Sequence, residues 1–138
     1  VETLIFRKLR LLREFILPGR PSLVILIFSW LRLAKQLILG GATFLGKANF
    51  EETSFNCHVD FQEVEFGGDA NFEKIRINGN SKFQWATFSG YVYFSNSGFN
   101  GLVNFDETSY LTKAVFKGLR NFNASFEGAI LKNVAFRD

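Results

Sequence analysis

The chain has 138 residues, 47% of them apolar, which is one domain's worth of sequence and enough for a core, so general disorder is excluded. One Cys and one His exclude an internal disulfide framework and any Cys-rich or His-paired metal site. Net charge is +3 but unevenly spread: seven basic residues against two acidic ones give residues 1–40 a net +5, while nine against eleven leave residues 41–138 at −2.

The N-terminal forty residues read as two helices. Over 3–17, Ile5, Leu9, Leu12 and Ile16 share one helical stripe with Leu4, Leu11 and Phe15 beside it, and Arg7, Arg10, Arg13 and Glu14 lie opposite. Pro18, Gly19 and Pro21 break this helix. Ser22 is a candidate N-cap for a second helix that runs to Leu39 and ends at Gly40 and Gly41. Its apolar run from Leu23 to Phe28, with Trp30 and Leu31, faces a polar arc of Ser29, Arg32, Lys35 and Gln36. A length of 18 residues is the lower limit for a bilayer span. A Lys or Arg near the bilayer centre costs about 2.5–3.5 kcal/mol, but Arg32 and Lys35 fall in the second half, where they can snorkel.

The expectation is a membrane-surface or shallowly inserted hairpin, with a full span as its extreme. Leu23, Val24, Ile27, Phe28, Trp30, Leu31, Arg32 and Lys35 are the candidate membrane contacts. The competing reading is that the helices cap the exposed edge of the next domain. Nucleic acid is disfavoured, because the basic residues are mixed with Leu and Ile rather than with base-stacking aromatics. Five basic residues precede the apolar run and no small-residue cleavage site follows it, which argues against a signal peptide. The expected location is the cytoplasmic side of a membrane, with a soluble cytoplasmic protein as the alternative.

From residue 41 the chain repeats. Large apolar residues stand at Phe44, Phe50, Phe55, Phe61, Phe66, Phe72, Ile77, Phe83, Phe88, Phe94, Phe99, Phe105, Tyr110 and Phe116, spaced alternately by 6 and 5, so the period is 11. Two residues before each stands a mostly small or β-branched one: Ala42, Ala48, Thr53, Val59, Val64, Ala70, Ile75, Ser81, Ala86, Val92, Ser97, Val103, Thr108 and Ala114. Residues two apart share a face of an extended segment, so each unit turns one small and one large residue inward. Two residues after the large one, the six-residue spacings carry Gly46, Gly68, Gly79, Gly90 and Gly101, which suggests a corner that needs φ > 0 or a bulge. The five-residue spacings carry Glu52, Glu63, Lys74, Trp85, Asn96 and Glu107 there.

After Phe116 the spacing becomes 5 (Asn121, Phe126, Leu131, Phe136), with Ala124, Ala129 and Val134 at the small inward place. Asn121 breaks the pattern: either Phe122 takes the inward role, or Asn121 is buried with hydrogen-bond partners.

Units such as Ala48-Asn49-Phe50-Glu51-Glu52, Ala70-Asn71-Phe72-Glu73-Lys74, Ala124-Ser125-Phe126-Glu127-Gly128 and Ala129-Ile130-Leu131-Lys132-Asn133 resemble the pentapeptide-repeat family over residues 42–138. The extra residue in every second unit is a departure, making a Phe-rich 11-residue variant. The resemblance implies an all-β solenoid, a right-handed quadrilateral β-helix with each unit as one side. Two domains are expected: a helical segment over 1–40 and the β-helix over 41–138. Eighteen sides make four and a half coils of 22 residues, stacked into a rod about 20–25 Å long. The expected ladders are Phe44/Phe66/Phe88/Tyr110, Phe50/Phe72/Phe94/Phe116, Phe61/Phe83/Phe105/Phe126 and Phe55/Ile77/Phe99, the last meeting Asn121. A three-sided β-helix ranks lower, because the unit recurs too often for long sides.

Little points to chemistry. Cys57 and His58 are adjacent, but both sit on a corner and no third orienting group accompanies them. The acidic residues are dispersed and there is no phosphate-binding Gly motif. No catalytic, cofactor or metal residue is assigned, and the protein is expected not to be an enzyme. Trp85, Tyr91 and Tyr93 all fall at outward positions of one coil and form the candidate contact patch.

The expected function is a non-enzymatic scaffold for an unidentified protein partner, held at a membrane by its N-terminal segment. The alternative is a soluble structural or oligomerisation module, including a homodimer through an open last coil. Some pentapeptide-repeat proteins imitate DNA and bind type II topoisomerases, but that requires a strongly acidic rod, and this repeat is close to neutral. A chain that starts at Val and ends abruptly at Asp138 is expected to be a fragment or a processed product.

Overall fold

A computed structural model describes residues 2–5, 12–16, 22–27 and 32–138, with side chains from Leu37 onward. The chain is an all-β, right-handed solenoid of about 5 turns built from parallel strands. Four columns of short strands run along it. The first face stacks Thr43–Phe44, Glu65–Phe66, Thr87–Phe88 and Ser109–Tyr110. The second stacks Ala48–Asn49, Ala70–Asn71, Val92–Tyr93, Ala114–Lys117 and Val134–Arg137. The third stacks Ser54–Phe55, Arg76–Ile77 and Gly98–Phe99, and Gly98 bridges on to Arg120. The fourth stacks His58–Asp60, Ser81–Lys82, Leu102–Asn104 and Asn123–Ser125. Four columns rule out the three-sided alternative.

The inward positions are those the 5–6 spacing picks out. Every small and every large residue of the repeat from Ala42 to Phe116 is at most 2% exposed. The aromatic ladders form as expected. Ring centroids are 4.8 and 4.7 Å apart along Phe50, Phe72 and Phe94. They are 4.9, 4.8 and 5.0 Å apart along Phe61, Phe83, Phe105 and Phe126. Neighbouring ladders meet edge to face, as Phe72 does with Phe83 at 88°, an arrangement that adds about 0.5–1.5 kcal/mol per pair beyond area burial.

The corners differ from the sequence reading. The left-handed residues are not the corner glycines but Glu52, Glu63, Lys74, Trp85, Asn96 and Glu107, with φ between 54° and 58°. They occupy the third place of turns closed by bonds such as Thr53 N–H to the Phe50 carbonyl, 3.2 Å, and Ala86 N–H to the Phe83 carbonyl, 3.0 Å. An Asn or Asp before the large residue supports several of these turns, accepting from the N–H two residues on: Asn49 from Glu51, Asp60 from Gln62, Asn71 from Glu73. A ladder bond holds each left-handed residue, as Trp85 N–H does to the Asp106 carbonyl at 3.1 Å. The glycines serve close approach instead: a Cβ at Gly90 would stand 2.5 Å from the Gly68 backbone, and one at Gly79 2.5 Å from that of Cys57.

At the break, Phe122 takes the inward role. It packs on Phe99 at 5.4 Å, while Asn121 is exposed, has φ 53° and donates to Asn100. The last coils shorten: Val103 pairs with Ala124 and Ala114 with Val134, offsets of 21 and 20 residues against 22 before. Leu131 and Phe136 are 39% and 53% exposed there.

The expectation of two helices over 3–17 and 22–39 is not met in the described residues. Strands stand at Glu2–Ile5, Leu12–Ile16, Ser22–Ile27 and Arg32–Ile38. The remaining parts of the expected hairpin (6–11, 17–21 and 28–31) lie outside the described residues. Ser22–Ile27 pairs with both Thr43–Phe44 and Ala48–Asn49, and Arg32–Ile38 with both Ser54–Phe55 and His58–Asp60. Leu37 and Leu39 are fully buried in the solenoid core, 22 residues ahead of Val59 and Phe61, so the core begins before residue 41. A segment dense in Leu and Ile satisfies helical spacing and solenoid spacing together, and the first hides the second.

Phe83→Ala should cost about 3–5 kcal/mol in urea unfolding, since Phe83 is stacked on both sides, whereas Phe136→Ala should cost about 1 kcal/mol. Gly90→Ala should destabilise by about 2 kcal/mol or more through overpacking, while Glu107→Gly should stabilise by about 0.5–1 kcal/mol by relieving a left-handed non-glycine. Equal melting temperatures for the two variants would show that this assignment of corner roles is wrong.

Candidate contact surface

Alternation within each unit sends every second residue outward, so the faces are lined by columns of polar side chains one coil apart. On the second face, Tyr93 follows Asn49 and Asn71 in register. Tyr91, 45% exposed, stacks beside Tyr93 with centroids 6.3 Å apart and planes at 16°. Its backbone N–H donates to Asp69 at 3.1 Å, and Asp69 also pairs with Lys47 at 3.5 Å. Tyr93, Lys47, Asn49, Asp69, Asn71 and Glu73 line a groove of about 330 Å³. A pair of tyrosines beside such a groove offers ring faces and hydroxyls together, the mixture that suits a protein contact.

Trp85 is 55% exposed but stands on the corner between the fourth and first faces, one face away from the tyrosines. The structure thus brings Tyr91 and Tyr93 together and leaves Trp85 apart. Leu45, Leu102, Leu111 and Ile130 are also exposed; exposed aliphatics are ordinary.

The candidate membrane contacts Leu23, Val24 and Ile27 fall in the strand Ser22–Ile27, and Arg32 and Lys35 in Arg32–Ile38. Phe28, Trp30 and Leu31 lie outside the described residues. Among the described residues no helix is long and apolar enough to cross a membrane.

Cys57 and His58 do not form a nucleophile and base. Cys57 is buried, and burial pushes its thiol up to about 11, so it is protonated at neutral pH. His58 is exposed, and its Nδ1 accepts the Asn80 N–H at 2.8 Å. Among the described residues no group of three His, Cys, Asp or Glu is placed to hold a metal ion.

The sequence reading missed an asparagine ladder on the third face. Asn78 donates to Asn56 at 2.8 Å, Asn100 to Asn78 at 2.8 Å, and Asn121 to Asn100 at 3.0 Å. Its signal in the sequence is Asn56, Asn78 and Asn100 at a 22-residue interval, at an outward place of the repeat.

The family model for pentapeptide repeats (9 copies) matches residues 39–84 and 61–109, just over half of the chain together. Comparison with curated proteins and with solved structures gives no match. With its small–x–large units, four-faced coil and this match, the chain belongs to the pentapeptide-repeat family.

Proposed function

We propose that the protein is a non-enzymatic scaffold for protein interaction, which meets its partner through the Tyr91–Tyr93 surface and is held at a membrane by its basic N-terminal segment. The observation that carries the scaffold reading is the separation of tasks within each repeat. Inward residues supply all the packing, so outward columns are free to differ from coil to coil at small cost in stability. Tyr91 and Tyr93 use that freedom, standing where the preceding coil has Asp69 and Asn71. The buried, protonated Cys57 and the occupied His58 favour a non-catalytic role.

Membrane attachment is supported by the net +5 of residues 1–40 beside a nearly neutral rod. Such a segment is drawn to anionic lipid with about 1 kcal/mol per basic residue near the surface. The competing reading is a soluble structural module.

Flotation separates the two. The full chain should float with vesicles containing phosphatidylglycerol and not with phosphatidylcholine alone. Replacing Arg7, Lys8, Arg10 and Arg13 by Gln should abolish flotation, and a chain that ignores anionic vesicles leaves the soluble module. Point substitution is the right tool, since a cut at residue 41 would remove Leu37 and Leu39 from the core. For the contact surface, Tyr91→Ser should change unfolding stability by no more than about 0.5 kcal/mol. A loss of several times that would make the tyrosine pair a structural feature.

A further inference from the structure

The third face carries a basic groove that neither the scaffold surface nor the core uses. Its outward column reads Ser54, Arg76, Gly98, Arg120, one residue per coil, as the strand register and the Gly98–Arg120 bridge require. Gly98 therefore lies between two arginines that are two coil spacings, about 9–10 Å, apart. A Cβ at Gly98 would meet nothing within 4 Å, so the place between them is open. Its φ is not in the left-handed range, so glycine is not there for backbone reasons.

The sides of the groove are formed by Lys74 and Asn96 and by the amide ladder of Asn78, Asn100 and Asn121. Together with the arginines and Gly98 they enclose about 320 Å³, and no Asp or Glu lines it. The carboxylates of Glu52 and Glu51 are drawn to Lys74, at 2.9 and 3.8 Å. Among the described residues neither Arg76 nor Arg120 has an ion-pair partner.

We propose that this groove binds a phosphate group, held over Gly98 between Arg76 and Arg120. Two guanidinium groups approaching from opposite ends need an acceptor with oxygens directed both ways. A tetrahedral phosphate has them; a planar carboxylate directs both oxygens to one side. The asparagine amides add neutral donors along one wall, and the gap left by glycine gives the anion room. The phosphate belongs either to a small soluble compound or to a lipid headgroup, and the two sources are separable.

The test titrates the full chain with pyrophosphate and with inorganic phosphate, following the backbone amide resonances of Arg76, Gly98 and Arg120. Saturable shifts confined to this face are expected, with Arg76→Gln and Arg120→Gln each weakening binding about tenfold. Gly98→Glu is the decisive variant. Its side chain enters open space, so the fold should be kept, and its carboxylate should put a negative charge in the anion's place and abolish phosphate binding. In a second arm the chain is floated on phosphatidylcholine vesicles with and without phosphatidic acid. This arm uses the chain with Arg7, Lys8, Arg10 and Arg13 replaced by Gln, so that N-terminal attraction to anionic lipid is removed; flotation on phosphatidic acid that is then lost on adding Arg76→Gln and Arg120→Gln assigns the headgroup, and saturation by pyrophosphate alone assigns a soluble ligand. No saturable response to any of these probes at tens of millimolar phosphate, or binding indifferent to both arginines and to Gly98→Glu, overturns the proposal.

Discussion

Adjacent coils are held one parallel-strand spacing apart, about 4.8 Å, by bonds such as Ala70 N–H to the Tyr91 carbonyl at 2.8 Å. Each column of side chains has to repeat at that distance or leave a gap. A flat ring does so well. Successive phenylalanines lie nearly parallel, with planes 2° apart for Phe66 and Phe88 and 4° for Phe72 and Phe94. The small residue two positions earlier leaves space for the ring edge arriving from the neighbouring column. The same distance excludes a side chain from the corners at Gly68 and Gly90, where one backbone lies directly against the next. Core, corners and asparagine ladder are thus three answers to one spacing.

Inward residues were legible because they answer to a strict rule. Nearly all are apolar, and each recurs at 5 or 6 residues; Ser97 and Thr108 fit by donating to the carbonyls of Phe72 and Phe105, while the buried Ser81 hydroxyl has no such partner among the described residues. The corners were less legible because one residue type serves two physical purposes. A recurring Gly signals either a left-handed φ or a close approach, and only the coil-to-coil contact of Gly90 with Gly68 decides between them. A left-handed residue held by a ladder bond can be Glu, Lys, Trp or Asn, so its sequence carries no mark. Leu37 and Leu39 were hidden differently, since an aliphatic run supports a helical stripe as readily as a two-residue inward pair.

Of the candidate contact residues, Tyr91 and Tyr93 were within reach of sequence alone, because two positions apart on a strand means one side of it. Trp85 was not separable from them in one dimension. The five residues between Trp85 and Tyr91 include a complete face and its corner, and only the folded coil shows that they carry the chain around an edge. Distance along a solenoid is thus a poor guide to distance across it, whereas an interval of 22 residues is a good one.

The asparagine ladder gives the rod a property that its symmetric stacking of rings does not. Each amide donates to the one in the preceding coil, from Asn121 to Asn100 to Asn78 to Asn56, so all of these dipoles point the same way along the axis. An amide in the middle of such a chain cannot turn over by itself without losing one bond above and another below. The four asparagines consequently behave as a unit with a single orientation, and the third face acquires a direction, with donor groups leading toward the N-terminal coils and carbonyl oxygens toward the C-terminal ones. A partner lying along that face meets a surface that distinguishes one end of the solenoid from the other.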